Sequence, residues 1–210
     1  MEFDVQQARD GELVVVHDTN LRRVAGVNAT VASRTGRQLA ALDAGSWFSD
    51  NFRGERIPTL RETMQLVAGL DEIHLEIKQP SRRYRGIERR VLSLLRARRG
   101  WMERTVISSF DFGTLRRVRA LNRRARIGWL AATGSARSEV ARARELGAES
   151  VHIPARKVSR RWAREAHANG MKLYAYTIND WAGLRRLRSL GADGAFSNHP
   201  ELPAGAGVAR

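Results

Sequence analysis

Leu146-Gly147-Ala148-Glu149-Ser150-Val151-His152-Ile153 closes one helix on a glycine and opens a short β-branched run two residues later. The same order returns at Asn169-Gly170-Met171 before Lys172-Leu173-Tyr174-Ala175-Tyr176, and at Leu190-Gly191-Ala192 before Gly194-Ala195-Phe196. A glycine that ends a helix in the left-handed conformation and is followed by an apolar run predicts a helix feeding a parallel strand. These glycines recur about every 22 residues, a fitting length for one βα unit. Working back, Thr105-Val106-Ile107-Ser108 and Ile127-Gly128-Trp129-Leu130 read as earlier strands of the series. Helices are expected from Asp111 and over roughly 136–146. Thr59-Leu60-Arg61-Glu62 is a capping box that opens a helix closing near Gly69, with Ile73 to Lys78 as the strand after it.

The rhythm predicts seven parallel strands: residues 2–6, then those near 75, 107, 129, 152, 175 and 195. A closed barrel of such units wants eight. The fold class expected is therefore α/β, a (β/α)8 TIM-type barrel lacking its first strand and helix. The domain is read as residues 1–202, with an irregular insertion at about 19–57 and a flexible tail at 203–210.

Composition narrows the rest. A 42% hydrophobic, 210-residue chain can bury a core, and no run of eighteen apolar residues could cross a bilayer. Without cysteine there are no disulfides, thiolate nucleophiles or zinc-thiolate sites. The N-terminus has no signal-peptide pattern, so the default compartment is cytoplasmic. The net charge of +15 invites nucleic acid, yet it is almost wholly arginine, the lysines being only Lys78, Lys157 and Lys172. Arg82, Arg83, Arg85, Arg89 and Arg90 fall on a presumed helix exterior without interleaved aromatic rings, so no specific nucleic-acid partner is expected.

Two β-rich runs flank Asp10-Gly11, which predicts a hairpin with a two-residue turn. In that register Arg9 faces Glu12, Asp4 lies opposite His17, and Glu2, Asp4, Gln6 and His17 share one face against Phe3, Val5, Val14 and Val16. Carboxylates two residues apart with a histidine across the ladder suit a hard cation beside an acid or base, although a solvated hairpin face reads the same way. Strand 73–78 sharpens the choice: His74, Glu76 and Lys78 alternate with Ile73, Leu75 and Ile77, whereas parallel strands are usually apolar on both faces. Glu76 and Lys78 form either a buried ion pair or a cation ligand beside a phosphate contact.

At these residues the sequence resembles the glycerophosphodiester phosphodiesterase family. The likeness is carried by Glu2-Phe3-Asp4-Val5, Val14-Val15-Val16-His17-Asp18, Leu42-Asp43-Ala44-Gly45-Ser46-Trp47-Phe48, Arg56-Ile57-Pro58-Thr59-Leu60 and Glu76-Ile77-Lys78. Ser108-Ser109-Phe110-Asp111, Tyr176-Thr177-Ile178-Asn179 and Ser197-Asn198-His199-Pro200 continue it. The resemblance implies a hydrolase of lipid metabolism that splits glycerophosphodiesters, small molecules, into an alcohol and glycerol phosphate. It implies Glu2, Asp4 and Glu76 as ligands of Ca2+ or Mg2+, His17 as acid or base, and Lys78 and Tyr176 as substrate contacts. The family's first strand carries His-Arg-Gly, whereas only Met1 precedes Glu2. One expectation is a shortened chain whose His-Arg-Gly lies about 25 to 30 residues upstream, one βα unit. The other is an impaired barrel that binds phosphodiesters or a protein partner. His74, His152, His167 and His199 are expected to be structural or exposed.

Overall fold

The computed structural model describes residues 1–78 and 84–202, which fall into two compact units, Met1–Arg126 and Ile127 onward. Arg82 and Arg83 of the basic stretch, and the tail from 203, lie outside the described residues. No helix among the described residues is long and apolar enough to cross a membrane.

The first unit opens with β1 (Glu2–Gln7) and β2 (Leu13–Val15), an antiparallel hairpin. Short helices α1 (Arg22–Ala25) and α2 (Gly36–Ala40) follow. Then come α3 (Leu60–Leu66), β3 (Ile73–Ile77), α4 (Ile87–Arg96), α5 (Trp101–Arg104), β4 (Thr105–Ser109) and α6 (Phe112–Leu121). β1, β3 and β4 are parallel neighbours in that order. The predicted capping box holds: Glu62 N donates to Thr59 Oγ1 at 3.2 Å, and Thr59 N to Glu62 Oε2 at 2.8 Å. β3 is buried along its whole length, with Ile73, Leu75 and Ile77 fully shielded. Each of these three contributes about 1.5–3 kcal/mol by leaving water.

The second unit continues the alternation with β5 (Arg126–Leu130), α7 (Ala136–Glu145), β6 (Ser150–Pro154), α8 (Arg160–Ala168), β7 (Lys172–Tyr176), α9 (Trp181–Ser189) and β8 (Gly194–Ala195). Its strands pair in parallel in chain order. Gly147, Gly170 and Gly191, at φ 62°, 70° and 92°, end their helices in the left-handed region, as the sequence predicts. All seven parallel strands stand where expected.

The hairpin register differs from expectation by one residue. Val5 pairs with Val15, Gln6 with Val14 and Gln7 with Leu13, so Asp4 faces Val16, whose N–H donates to the Asp4 carbonyl at 3.0 Å. The loop has three residues, Arg9 to Gly11, with Gly11 at φ 92° as its left-handed closer. Ala8 N donates to Glu12 O at 2.8 Å across its base. The slip turns Val14 to the other face, where it packs with Ala8, Leu21, Val24, Val31, Leu39 and Ile57.

Segment 19–57 is thus less irregular than its sequence suggests: α1, α2 and two turns of 3-10 helix close over this satellite core. Asp43 organises its far end, accepting from Gly45 N (2.9 Å), Ser46 N (2.9 Å), Ser46 Oγ (2.6 Å) and Gly54 N (3.1 Å). These bonds, that of the Ser46 hydroxyl first, hold its carboxyl well below the usual range. A side chain at Gly45 would run into the Phe52 carbonyl oxygen. Gly45→Ala is expected to cost about 1–3 kcal/mol of stability, measured by urea unfolding.

Candidate metal and acid–base site

Parallel pairing of β1 with β3 places Glu2 beside His74 and Asp4 beside Glu76. Because alternate residues of a strand share a face, Glu2 and Asp4 project together, and the register brings Glu76 to them. One carboxylate oxygen from each of Glu2, Asp4 and Glu76 lies within 4.8 Å of the other two. Lys78, just past β3, sets Nζ 3.0 Å from Asp4 Oδ1 and 2.9 Å from Glu76 Oε1. Both sequence readings of Glu76 and Lys78 therefore meet in one cluster: an ion pair, and three convergent acids.

Its charge is unbalanced. Burial, and then the charges of Asp4 and Glu76, push the Glu2 carboxyl up to about 7 against the opposing pull of Lys78. Glu2 as a residue keeps much of its surface in solvent, so repulsion from its two acidic neighbours is the firmer of these causes. Burial likewise raises Glu76, although Lys78 opposes it. Burial works against the Lys78 ammonium, but Glu76 and Asp4 outweigh it and raise its pKa. Burial is the first cause of both carboxyl shifts, and Lys78, joined for Glu2 by the N-terminal ammonium, offsets it only in part. Oxygen-only donors with surplus negative charge fit a hard divalent cation.

A cavity of about 390 Å3 opens over Glu76 and Lys78, walled by Thr19, Ser109, Phe110 and Asp111. Ser109 Oγ donates to the Ile77 carbonyl at 2.8 Å, and Asp111 caps α6 by accepting from Thr114 N at 2.6 Å. A larger cavity of about 670 Å3 in the second unit, lined by Arg160, Arg164 and His167, has no carboxylate in its wall. Donor chemistry, not volume, picks out the first.

His17 lies beyond the end of β2 and outside the acid cluster, two-thirds exposed. Its Nδ1 is 2.8 Å from Asp18 Oδ1, while Asp18 Oδ2 takes Arg23 Nε at 2.6 Å. The Arg23 hydrogen bond chiefly, with help from His17, holds the Asp18 carboxyl at about 2. With Nδ1–H donated to Asp18, Nε2 is the atom left for proton exchange. The backbone here is clamped by buried Gln6, whose Nε2 donates to Val16 O (2.9 Å) and His17 O (3.1 Å). Tyr84 Oη donates in turn to Gln6 Oε1 at 2.8 Å.

The sequence places Gln6 on the polar hairpin face and Asp18 in the stretch after Val16 without giving either a role, and does not single out Tyr84. A carboxylate directly after His17 was a usable signal for Asp18; nothing local marks Tyr84. Tyr176 belongs to β7 in the second unit, half-buried opposite Pro154. The remaining histidines have partners of their own: His74 with Glu72 (3.0 Å), His152 with Ser150 (2.9 Å), His167 with Asp193 (2.8 Å) and His199 with Glu201 (2.9 Å). His74, on the acid face, is buried and its pKa lowered by that burial, and Glu72 is itself bonded to Arg126 at 2.6 Å.

Known proteins resemble this chain in sequence and in fold. A glycerophosphodiester phosphodiesterase of Caldanaerobacter subterraneus subsp. tengcongensis is 32% identical over 202 residues, covering 96% of this chain and 82% of its own length. One from Bacillus subtilis is 26% identical, over 96% of this chain and 74% of its own. Among solved structures, an Oleispira antarctica phosphodiesterase in complex with the product sn-glycerol-3-phosphate superposes with a TM-score of 0.86 at 26% identity. It covers 97% of this chain, which spans 83% of it. A glycerophosphodiester phosphodiesterase from Agrobacterium tumefaciens, at 23% identity and TM-score 0.81, covers 96% of this chain and 84% of its own. The fold class is α/β of the TIM-barrel type. Residues 1–202 match the pattern of one family throughout, and the chain belongs to it: the glycerophosphoryl diester phosphodiesterase family.

Proposed function

We propose that Glu2, Asp4 and Glu76 hold a divalent cation, Ca2+ or Mg2+, and that His17 moves the proton as a glycerophosphodiester is hydrolysed to an alcohol and glycerol phosphate. The observation that carries this reading is the convergence of three carboxylates with surplus negative charge beside Lys78. When bound, such a cation neutralises a phosphodiester and stabilises the charge that develops on its oxygens. Lys78, in the wall of the cavity, is the point charge for a phosphate oxygen. Hydrolysis breaks one P–O bond; water's oxygen goes to phosphorus and the departing alkoxide takes a proton. His17, oriented through Nδ1 by Asp18, either supplies at Nε2 the proton that the alkoxide takes or accepts there the one that the attacking water loses, bulk water completing the balance. The glycerol phosphate product held by the Oleispira antarctica relative supports a small-molecule substrate of this class.

The test is alcohol release from a glycerophosphodiester with and without chelator. Chelation is expected to abolish release and added Mg2+ or Ca2+ to restore it. His17→Ala should lower kcat by about 10²–10⁴-fold, the usual worth of a positioned acid or base. Asp18→Asn should lower it less, with the fold unchanged by circular dichroism. Turnover indifferent to both chelator and His17→Ala would overturn the proposal.

A further inference from the structure

We infer that the turn bearing Trp47, Phe48 and Phe52 is a docking surface for an anionic lipid bilayer. Trp47 is 49% exposed, Phe48 70% and Phe52 47%. Isolated exposed rings are ordinary, but these form one patch: Trp47 and Phe48 have centroids 5.8 Å apart, Phe48 and Phe52 5.5 Å. Water gains nothing from such an array, and the fold holds it rigidly through Asp43 and the closure around Gly45.

A segment that enters an interface must bring its own hydrogen bonds, because buried unpaired donors are costly there. This turn does. Phe48 N donates to Gly45 O (2.9 Å), Phe52 N to Ser49 O (3.0 Å), Gly54 N to Asp43 Oδ2 (3.1 Å) and Glu55 N to Phe52 O (3.0 Å). The Trp47 indole N–H is already spent on the Ala44 carbonyl at 2.8 Å, so the ring can leave water without stranding a donor. The exposed carboxylate at the tip, Asp50, is neutralised by Arg53 at 2.7 Å.

The charge selects the partner. Residues 18–62, which include the Asp18 and Glu62 partners of Arg23 and Arg56, still carry seven arginines against five carboxylates, in a chain of net charge +15. Arg23 stands 4.6 Å over the Trp47 ring, where its guanidinium would meet lipid phosphates as the ring enters below them. Exposed rings with an arginine stacked on one of them have the composition of an interfacial anchor. Nucleic acid fits less well, since the rings meet one another at 74° and 61° and offer no parallel faces for bases. None of this depends on the catalytic reading.

The experiment sediments the purified chain with vesicles of phosphatidylcholine and phosphatidylglycerol, with phosphatidylcholine vesicles alone for comparison. Binding to the mixed vesicles is expected, with Phe48→Ser weakening partition by about 10-fold or more, the worth of one buried phenyl ring. Brominated acyl chains should quench part of the tryptophan emission, and Trp47→Phe should remove that part while binding persists. Phe48→Ser is expected to leave turnover of a soluble glycerophosphodiester unchanged, which also certifies its fold. The inference falls if mixed vesicles do not bind, if Phe48→Ser binds as well as wild type, or if Phe48→Ser alters KM for soluble substrate but not partition.

Discussion

Replacing Glu76 with Gln should lower kcat/KM for a glycerophosphodiester by about a thousandfold, because the centre loses one of three anionic donors and with it several kcal/mol of charge stabilisation. Glu76 is buried, and strand register fixes its place beside Asp4. Calorimetric titration with Mg2+ or Ca2+ should show the loss directly, as a much weaker or undetectable binding isotherm. The wild-type isotherm should also depend on pH. Glu2 holds its proton up to about pH 7 in the folded cation-free protein, against an ordinary 4.5. The folded state therefore binds more protons than the unfolded one between those values, and cation-free stability falls as pH rises across that window. A cation must displace the same proton, so affinity is expected to climb with pH until about 7 and then level off, with proton release below it. In Glu76→Gln the repulsion on Glu2 is smaller, and this pH dependence should shift downward.

Lys78→Met should have the largest effect on stability. It removes the ammonium that Asp4 and Glu76 share and leaves two mostly buried carboxylates facing each other and Glu2. Breaking a buried pair from one side typically costs about 3–5 kcal/mol, since the remaining charge is uncompensated. Urea unfolding in chelator should show a loss of that order, and millimolar Mg2+ or Ca2+ should recover much of it by binding only the folded state. Turnover should stay low even with the cation present, which separates the phosphate contact from the structural one. Equal loss of stability with and without cation would mean that Lys78 is a structural residue alone.

Four of the seven parallel strands were legible because two independent signals agreed, an apolar run and a glycine or capping box one helix earlier; the other three were read from the apolar run and the rhythm of the series. The acids were legible for the same reason, since two-residue spacing fixes a face whatever the partner does. Glu2 and Asp4 remain together under either hairpin register. His17 was legible in type but not in place, because its position depends on where β2 stops and on a glutamine clamp from β1. Asp10-Gly11 has the composition of a two-residue turn, and local preference points there. What selects the three-residue loop is distant: the Asp10 carboxylate accepts the Gly36 N–H at 3.1 Å, a bond 26 residues long in sequence. Likewise, no local pattern announces that Gly54 joins Gly45 and Ser46 around Asp43, because it lies eleven residues away.

The contact between Asp10 and Gly36 also limits how this protein can be dissected. Gly36 itself sits so close that a side chain on it would meet the Glu12 methylenes at 2.8 Å. A synthetic peptide of residues 1–17 would contain every strand residue of the hairpin yet lack the amide that chooses its alignment. Such a fragment would be free to pair through the shorter turn and present Val14 on the wrong side. Excised pieces of this chain would thus report faithfully on composition and misleadingly on geometry, and the hairpin is best studied with α2 still attached.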